Sequence, residues 1–369
     1  MRKSPRRWTL LNPGPANTTA SVKRALVTPD LCHREPEFFA VMQGVRRRLV
    51  KLAGGSEKEF SCVLFMGSGT AVVEAVVCSV VPRGGKLLVV DNGVYGDRIC
   101  KMAAAHRIAF KRLKYEWTQP AKPADIDRAL TADKKITHVA IVHHETTTGM
   151  MNPIRAIGRV VKKHRRAFIV DAVSSMFGEP FSVRDDCVGF AIANSTKCLQ
   201  GVAGIGFAVC RRSLLETLRG QSPRSVYLDL LNHWQLQEQA NTPFTPAVQL
   251  LFATQQAIAE LEREGLKKRW TRYAECARTL REGMAALGIN ILVPPATRSN
   301  LLTTFLLPRA VAYEALHDAM KRRGFIIYAG QSHIRKFAFR IANIGTLTPA
   351  DMRRVVRAVA QSLKELQAH

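Results

Sequence analysis

The chain has 369 residues, 47% of them hydrophobic, and carries 55 Lys plus Arg against 29 Asp plus Glu, a formal net charge of +26. That length and apolar fraction suit one large domain plus a smaller one, with cores that need no covalent staples. Eight scattered cysteines without a C-x-x-C pair, no histidine cluster at metal spacing and no apolar run near the roughly 18 residues of a membrane span exclude a disulfide framework, a zinc site and an integral membrane protein.

The opening "MRKSPRRWTLLNPGP" has too few apolar residues for a signal-peptide core, so a reducing cytoplasm is the expected compartment. From about residue 60, short apolar runs alternate with amphipathic stretches, which predicts a mainly parallel sheet wrapped by helices. Strands are predicted at "CVLFM" (62–66), "KLLVVD" (86–91), "THVAIVH" (137–143), "AFIVDA" (167–172), "VGFAIA" (188–193) and "GIGFAVC" (204–210). Only about ten residues separate the last two, so they are predicted to join without a helix, which allows an antiparallel pair. After Pro246 the periodicity turns helical through "LLFATQQAIAELEREGLKKRWTRYAECARTLREGMAALG", long enough to link two domains. A smaller α+β unit follows, with strands at 301–307, 325–330 and 337–345 and helices at 311–323 and 349–367.

The basic residues fall in short clusters at 46–48, 162–166, 267–269 and 321–323. In the second, Ile154, Ile157 and Val161 recur at helical spacing and leave Arg155, Arg159, Lys162 and Lys163 on the outer face. Solvated helix faces are therefore expected to carry most of the charge. The positive field favours anionic ligands, and nucleic acid is not the expected partner.

Four stretches carry chemistry. In "FMGSGTAVVEAVVCSVV" a strand ends, Gly67-Ser68-Gly69-Thr70 turns and a helix begins, so free N–H groups and the positive helix end face whatever sits there. This suits a phosphate, although a Ser/Thr cap is also an ordinary helix start, and the spacing is neither a Walker loop nor a dinucleotide fingerprint. "IVHHETTTGMMNP" puts three threonines at a strand's carboxyl end, either to bind a ligand in the crevice of an open sheet or to cap a helix near Pro153. "FIVDAVSS" places Asp171 at the end of an apolar strand, as a turn residue or as a buried carboxylate in need of a cation or several donors. "IANSTKCLQG" holds Lys197 between two apolar strands, as an idle loop lysine or as an amine whose surroundings lower its pKa. Together with Tyr95 in "DNGVYGDR", these are the parts of a pyridoxal phosphate site. Such a site needs a phosphate cradle, an aromatic to stack on the ring, an acid to keep the ring nitrogen protonated and a lysine to form the Schiff base.

These motifs resemble the class V branch of fold-type I pyridoxal phosphate aminotransferases. The similarity covers nearly the whole chain, through "LLNPGPANTT", "LFMGSGTAVVEAV", "NGVYGDR", "VHHETTTGMMNPI", "IVDAVSS", "ANSTKCLQGVAGIGF", "SVYLDL" and "FRIANIG". The resemblance implies an α/β fold: a large cofactor-binding domain (16–255) with a mainly parallel seven-stranded sheet flanked by helices, an N-terminal segment (1–15) packing with the small domain, and a linking helix with a small C-terminal α+β domain (256–369).

It also implies roles residue by residue. Lys197 would hold the cofactor and move the proton of the transfer step, and Asp171 would pair with the ring nitrogen. Ser68, Gly69, Thr70 and Thr196 would bind the cofactor phosphate, Tyr95 would stack on the ring and Thr146 would contact its 3-hydroxyl region. In a homodimer with shared active sites, Thr242 and Thr245 would complete the partner's phosphate site. Arg340 would grip the substrate's acidic group, a task suited to a bidentate guanidinium. The chain departs from the family pattern at Asn12, at Ala342 and in "YAGQ", near the expected substrate end; Arg34 is a second candidate there, or a surface ion pair with Glu35 or Glu37.

The expected reaction is transfer of the amino group of 2-aminoethylphosphonate to pyruvate. Alanine- or serine-glyoxylate transamination is the alternative within the family. Desulfuration of cysteine needs a reactive thiol on a late mobile loop, whereas Cys276 sits in a helical pattern. A non-catalytic nucleic-acid-binding protein with an aminotransferase-like body is the alternative outside it.

Overall fold

A computed structural model describes residues 8–367; the first seven residues of the expected N-terminal segment and the last two of the chain lie outside the described residues. Along the chain the strands are Thr9–Leu10 (β1), Phe60–Met66 (β2), Lys86–Asp91 (β3), Ala109–Lys114 (β4), Ile136–Val142 (β5), His144–Glu145 (β6), Met150–Met151 (β7), Ala167–Asp171 (β8), Phe190–Asn194 (β9), Ile205–Arg211 (β10), Leu302–Leu306 (β11), Phe325–Ile326 (β12), Tyr328–Ala329 (β13) and Ala338–Ala342 (β14). Seven of them form the central sheet in the order β2-β10-β9-β8-β5-β3-β4. Within it only β10 runs against its neighbours.

Each apolar run predicted as a strand of this sheet is one. The seventh strand, β4, escaped the periodicity because it is an edge strand, where Lys111, Arg112 and Lys114 in "AFKRLK" interrupt the apolar pattern. Charge on an exposed edge discourages pairing with another chain. The β9–β10 pair is antiparallel, as the short connection between them allows.

Helices cover both faces of the sheet, which is why its inner strands read as unbroken Val, Ile and Leu. On one face Leu64, Val90, Ile141, Val170 and Phe207 pack with Phe38 and Leu49 of the helix Pro36–Leu52 and with Leu251 and Ile258 of the helix Val248–Glu264. On the other, Phe65, Val89, Ile169 and Ile192 meet Val73 of the helix Gly69–Val80 and Ile99 of the helix Val94–Ala105. Burying one side chain such as Phe207 contributes roughly 1.5–3 kcal/mol.

A third cluster holds Leu11, Phe305, Phe339 and Ile341 around the sheet β11-β14-β13. The predicted strand at 325–330 is divided at Ile327, so that β12 pairs with β1 and β13 with β14. The parallel β1–β12 pair ties residues 9 and 10 to this C-terminal part. The predicted linking helix is two helices, Val248–Glu264 and Leu266–Ala286. Gly265 breaks them with φ +82°, a conformation that glycine adopts without steric cost. The first of the two runs across residue 255, and its Ala257, Ile258 and Leu261 still belong to the large core.

Two arginines of the basic clusters turn inward rather than to solvent. Arg46 is buried and donates to Cys62 O at 2.7 Å, Ser61 Oγ at 3.0 Å and Gln237 O at 2.6 Å, and pairs with Glu238 at 2.5 Å. Arg269 is buried between Glu264 and Cys198 O, at 2.6 and 2.8 Å. Removing one partner of a buried pair leaves uncompensated polar groups, which costs about 3–5 kcal/mol. Arg46→Ala is expected to lose about 3 kcal/mol in urea unfolding, the lower end because Glu238 is half-exposed. Burial pushes the Glu238 carboxyl up, but Arg212 and Arg46 outweigh it and bring it down to about 2. The stability it confers is therefore present above the ordinary carboxylate range and lost as pH falls toward 2. The acid-induced loss in that window should shrink in Arg46→Ala.

Candidate active site

The carboxyl ends of β2, β5, β8 and β9 open on one edge of the sheet, the place where open α/β sheets bind ligands. Lys197 follows β9 by three residues. Its loop is held at both ends: Ser195 N donates to Ile205 O at 2.9 Å, and Gly201 N to Ser195 O at 2.7 Å. The C-terminal part clamps it from outside, with Arg269 Nη1 on Cys198 O at 2.8 Å and Gln200 Nε2 donating to Tyr273 Oη and Gly345 O, both at 2.8 Å. The N-terminal segment closes over it, with Ala16 N on Thr196 O at 3.0 Å and Lys197 Nζ donating to Pro13 O at 2.6 Å. Gly14 makes that approach feasible: its φ is +139°, and a Cβ there would lie 2.5 Å from Lys197 Nζ.

Burial pushes the Lys197 amine down to about 8; Cys198 and Asp171 act in the opposite sense, and Arg340 adds to the depression. Asp171 ends β8. It is both things the sequence allowed: Oδ1 accepts from Val173 N at 3.0 Å in a turn, and the group is buried. Burial raises its carboxyl to about 6, against Val173 N–H, Arg98 and Lys197. Ser68 caps the helix Gly69–Val80, its Oγ accepting from Ala71 N at 3.3 Å. Gly69, Thr70, Tyr95, Arg98, Asp171 and Val173 line one cavity. Arg98, absent from the sequence-based set, donates to Thr70 Oγ1 at 3.2 Å and lies 4.8 Å from the centre of the Tyr95 ring. Thr196 Oγ1 is buried beside the lysine without a partner.

The three threonines of "ETTTG" do not cap the helix Ile154–Lys163, which starts at Pro153 with no side-chain bond. They belong to the hairpin β6–β7 instead. Thr147 Oγ1 accepts from Val94 N at 3.0 Å and donates to Glu145 Oε1; Thr148 Oγ1 donates to Trp117 O at 3.2 Å. Burial holds the Glu145 carboxyl up at about 7. Thr146 is buried, and its carbonyl accepts from Arg340 Nη1 at 2.8 Å. Arg340 sits in β14, only 3% exposed, and also donates to Ala329 O at 2.8 Å and Gln331 Oε1 at 3.0 Å. Among the described residues it has no carboxylate partner.

Asn12 is buried and donates to Pro15 O at 3.1 Å, closing the turn that presents Pro13 O to Lys197. Arg34 pairs with neither Glu35 nor Glu37. It donates to Asn241 Oδ1 and to Thr242 O at 2.9 Å, because the helix Pro36–Leu52 begins at once and carries the glutamates' side of the chain away. Thr242 is buried with an unpartnered Oγ1, and Thr245 is exposed. Arg34 and Thr242 thus meet away from Lys197 and Asp171, with no hydrogen bond to either. Cys276 is fully buried in the helix Leu266–Ala286, and burial pushes its thiol to about 11, so it is no nucleophile.

The groups converging on Lys197 suit pyridoxal phosphate. The first-turn N–H groups of Gly69 and Thr70 and the unpartnered Thr196 hydroxyl are donors for a phosphate ester. Asp171 is a buried carboxyl without a cation at ion-pair distance among the described residues, which would suit a protonated ring nitrogen, and Lys197 is an amine of lowered pKa. In the cofactor-free protein, acylation of Lys197 followed by peptide mass spectrometry should show a midpoint near pH 8. Asp171→Asn should move that midpoint lower, since the carboxylate favours the ammonium.

The family model described as aminotransferase class-V matches residues 18–358. The chain is 39% identical to the 2-aminoethylphosphonate--pyruvate transaminase of Bacillus cereus (strain ATCC 10987 / NRS 248), over 96% of this chain and 98% of that one. It is 40% identical to the protein of the same name from Syntrophobacter fumaroxidans, over 96% of each. Among solved structures, pyridoxamine-pyruvate aminotransferase from Mesorhizobium loti superposes with a TM-score of 0.91 at 25% identity, covering all of this chain and 95% of that one. Ureidoglycine-glyoxylate aminotransferase from Bacillus subtilis shares the fold with a TM-score of 0.93 at 23% identity, with the same coverage. A lysine and an acid at the ends of adjacent strands, in a chain whose similarity to these proteins runs nearly end to end, place it in one family: it belongs to the class-V aminotransferases.

Proposed function

We propose that this chain, with pyridoxal phosphate bound, moves the amino group of 2-aminoethylphosphonate to pyruvate, giving phosphonoacetaldehyde and L-alanine in two half-reactions. The observation that carries the substrate reading is Arg340: a buried guanidinium that makes no ion pair among the described residues, near enough to Lys197 to depress its pKa. A buried cation bonded only to carbonyl oxygens, with the Glu145 carboxyl acting on it from beyond ion-pair distance, suits a substrate that brings an anion, and a guanidinium matches the oxygens of a phosphonate or carboxylate in pairs. The names of the curated relatives point the same way.

The cofactor supplies a carbonyl for the amine and a ring that accepts electrons. The chain's residues do the rest. Lys197 Nζ, with its pKa brought near neutrality, would take the proton from the donor's amino-bearing carbon and return it to the carbon on the far side of the amino nitrogen, and in reverse for pyruvate. Asp171 holds a proton on the ring nitrogen, and its own carboxyl falls once that cation faces it. Tyr95, backed by Arg98, would stack on the ring, and Ser68, Gly69, Thr70 and Thr196 would hold the phosphate. Arg340 orients the donor by its acidic group so that the reacting carbon faces Lys197.

We place the enzyme in the cytoplasm as a homodimer with shared sites. Its eight cysteines are all unpaired, and Thr242 has a buried hydroxyl without a partner among the described residues while Thr245, three residues on, is exposed, as residues that complete a second copy's phosphate site would be. We divide the chain at Gly265, after the helix that still packs in the large core.

Lys197→Ala should remove both the visible absorbance of lysine-bound cofactor and all turnover while leaving the circular dichroism unchanged. Arg340→Ala should raise KM for 2-aminoethylphosphonate about 10- to 100-fold, as expected for loss of charge-assisted bonds worth about 1.5–3 kcal/mol. Arg340→Lys should recover little of it. Turnover of serine or alanine with glyoxylate, and none with 2-aminoethylphosphonate, would overturn the substrate reading and leave the transaminase intact.

A further inference from the structure

We propose that a cleft at the amino-terminal edge of the central sheet, ringed by Lys162, Arg165, Arg166, Arg184 and Arg211, binds a small ligand carrying a chain of two or more phosphate groups. The cleft has a volume of about 320 Å³ and is walled by Phe168, Gly189 and Leu214. It lies where β8 and β9 begin and β10 ends, at the edge opposite Lys197 and Asp171. None of its residues takes part in the proposed transamination.

Its charge is not balanced from within. Lys162 and Arg165 make no ion pair among the described residues. Arg166 donates through Nη2 to Lys134 O at 3.2 Å, while its buried Nε has no acceptor. Arg184 and Arg211 share a single carboxylate, Glu59, at 2.5 and 3.8 Å. The other acids nearby are engaged elsewhere: Asp186 with Arg155 at 2.7 Å, and Asp127 with Lys163 at 3.3 Å and His164 at 2.7 Å. Asp185, exposed, acts on Arg184 and makes no ion pair with the ring among the described residues. A lysine in the last turn of the helix Ile154–Lys163 is ordinary, since it faces the negative helix end. That reason does not extend to four arginines brought together from the turn after the helix, the loop before β9 and the end of β10.

Like charges gathered around a concave site repel one another unless an anion enters. The volume is at the lower end of small-molecule sites, roughly 300–1,000 Å³. One phosphate is met by one or two guanidinium forks, so cations on all sides of the cleft fit an extended chain of phosphates better. A nucleoside polyphosphate and an inorganic polyphosphate share that chemistry.

The test uses the full-length, cofactor-loaded protein, so that the active-site phosphate position is filled, titrated calorimetrically at 150 mM NaCl. Sodium tripolyphosphate should bind saturably, one per chain, at least tenfold more tightly than orthophosphate. Arg165→Gln with Arg184→Gln, both exposed positions, should weaken it tenfold or more and leave transamination without the probe unchanged. Arg83→Gln with Arg107→Gln, in a separate basic cleft, should leave binding as it was. Tighter binding of ATP than of tripolyphosphate assigns the site to a nucleotide, and equal or weaker binding to the inorganic chain. No saturable binding, equal affinity for orthophosphate, or the same loss in both double variants would overturn the proposal, the last by showing only diffuse charge.

Discussion

A half-buried amine beside a buried acid is the constraint on which the rest of this structure depends. Asp171 ends β8, where the sheet ladder fixes the backbone on both sides, and Lys197 lies in the loop that leaves the neighbouring strand β9. Burial acts on them in opposite directions, lowering the amine to about 8 and raising the carboxyl to about 6. Each limits the other's shift, since an ammonium favours a carboxylate and the reverse. An amine that loses its proton near neutral pH and a carboxyl that becomes a carboxylate once a cation faces it are the two groups that the proposed transfer would need at a single point.

Keeping a lysine there requires scaffolding from distant parts of the chain. The lysine loop has no regular structure of its own, so its carbonyls and amides are satisfied from outside, as buried backbone must be. Arg269 does this on Cys198 O, while Tyr273, one turn on in the helix Leu266–Ala286, accepts from the Gln200 side chain. Ala16 does it on Thr196 O, and Pro13 O accepts from the Lys197 amine, in a segment that β1 fastens to β12. The C-terminal part thereby serves twice: it braces the lysine loop, and through β14 it delivers Arg340 to Thr146 and the edge of the site. A change in how that part packs would alter both the surroundings of the amine and the position of Arg340.

The large positive charge has more than one physical role. Arg46 and Arg269 are structural, each surrounded by carbonyls and a carboxylate. Arg340 and Lys197 belong to the site. Exposed lysines and arginines on helices such as Ile154–Lys163 remain the solvated faces that their periodicity announces. The cleft at the far edge of the sheet is a fourth category, because there the cations converge rather than disperse.

The sequence by itself determined the parallel sheet and its helices, because alternating apolar runs and caps such as Ser68 are local signals whose period is set by backbone geometry. It also marked Lys197, Asp171, Ser68, Gly69, Thr70 and Tyr95, since each sits at a strand end or helix start that the pattern itself delimits. The edge strand β4, the break at Gly265 and the split at Ile327 were not legible: the first lacks an apolar run, and the others depend on a left-handed glycine and on which neighbour each half-strand meets. Arg98 lies three residues after Tyr95, one helical turn on, and that spacing was the only available hint of its role. The inward turn of Arg46 and Arg269, the embrace of the lysine loop by Tyr273 and Pro13, and the meeting of Arg340 with Thr146 were decided by tertiary structure alone. These contacts join residues far apart in the chain, and nothing in a local pattern records which distant carbonyl a guanidinium will find.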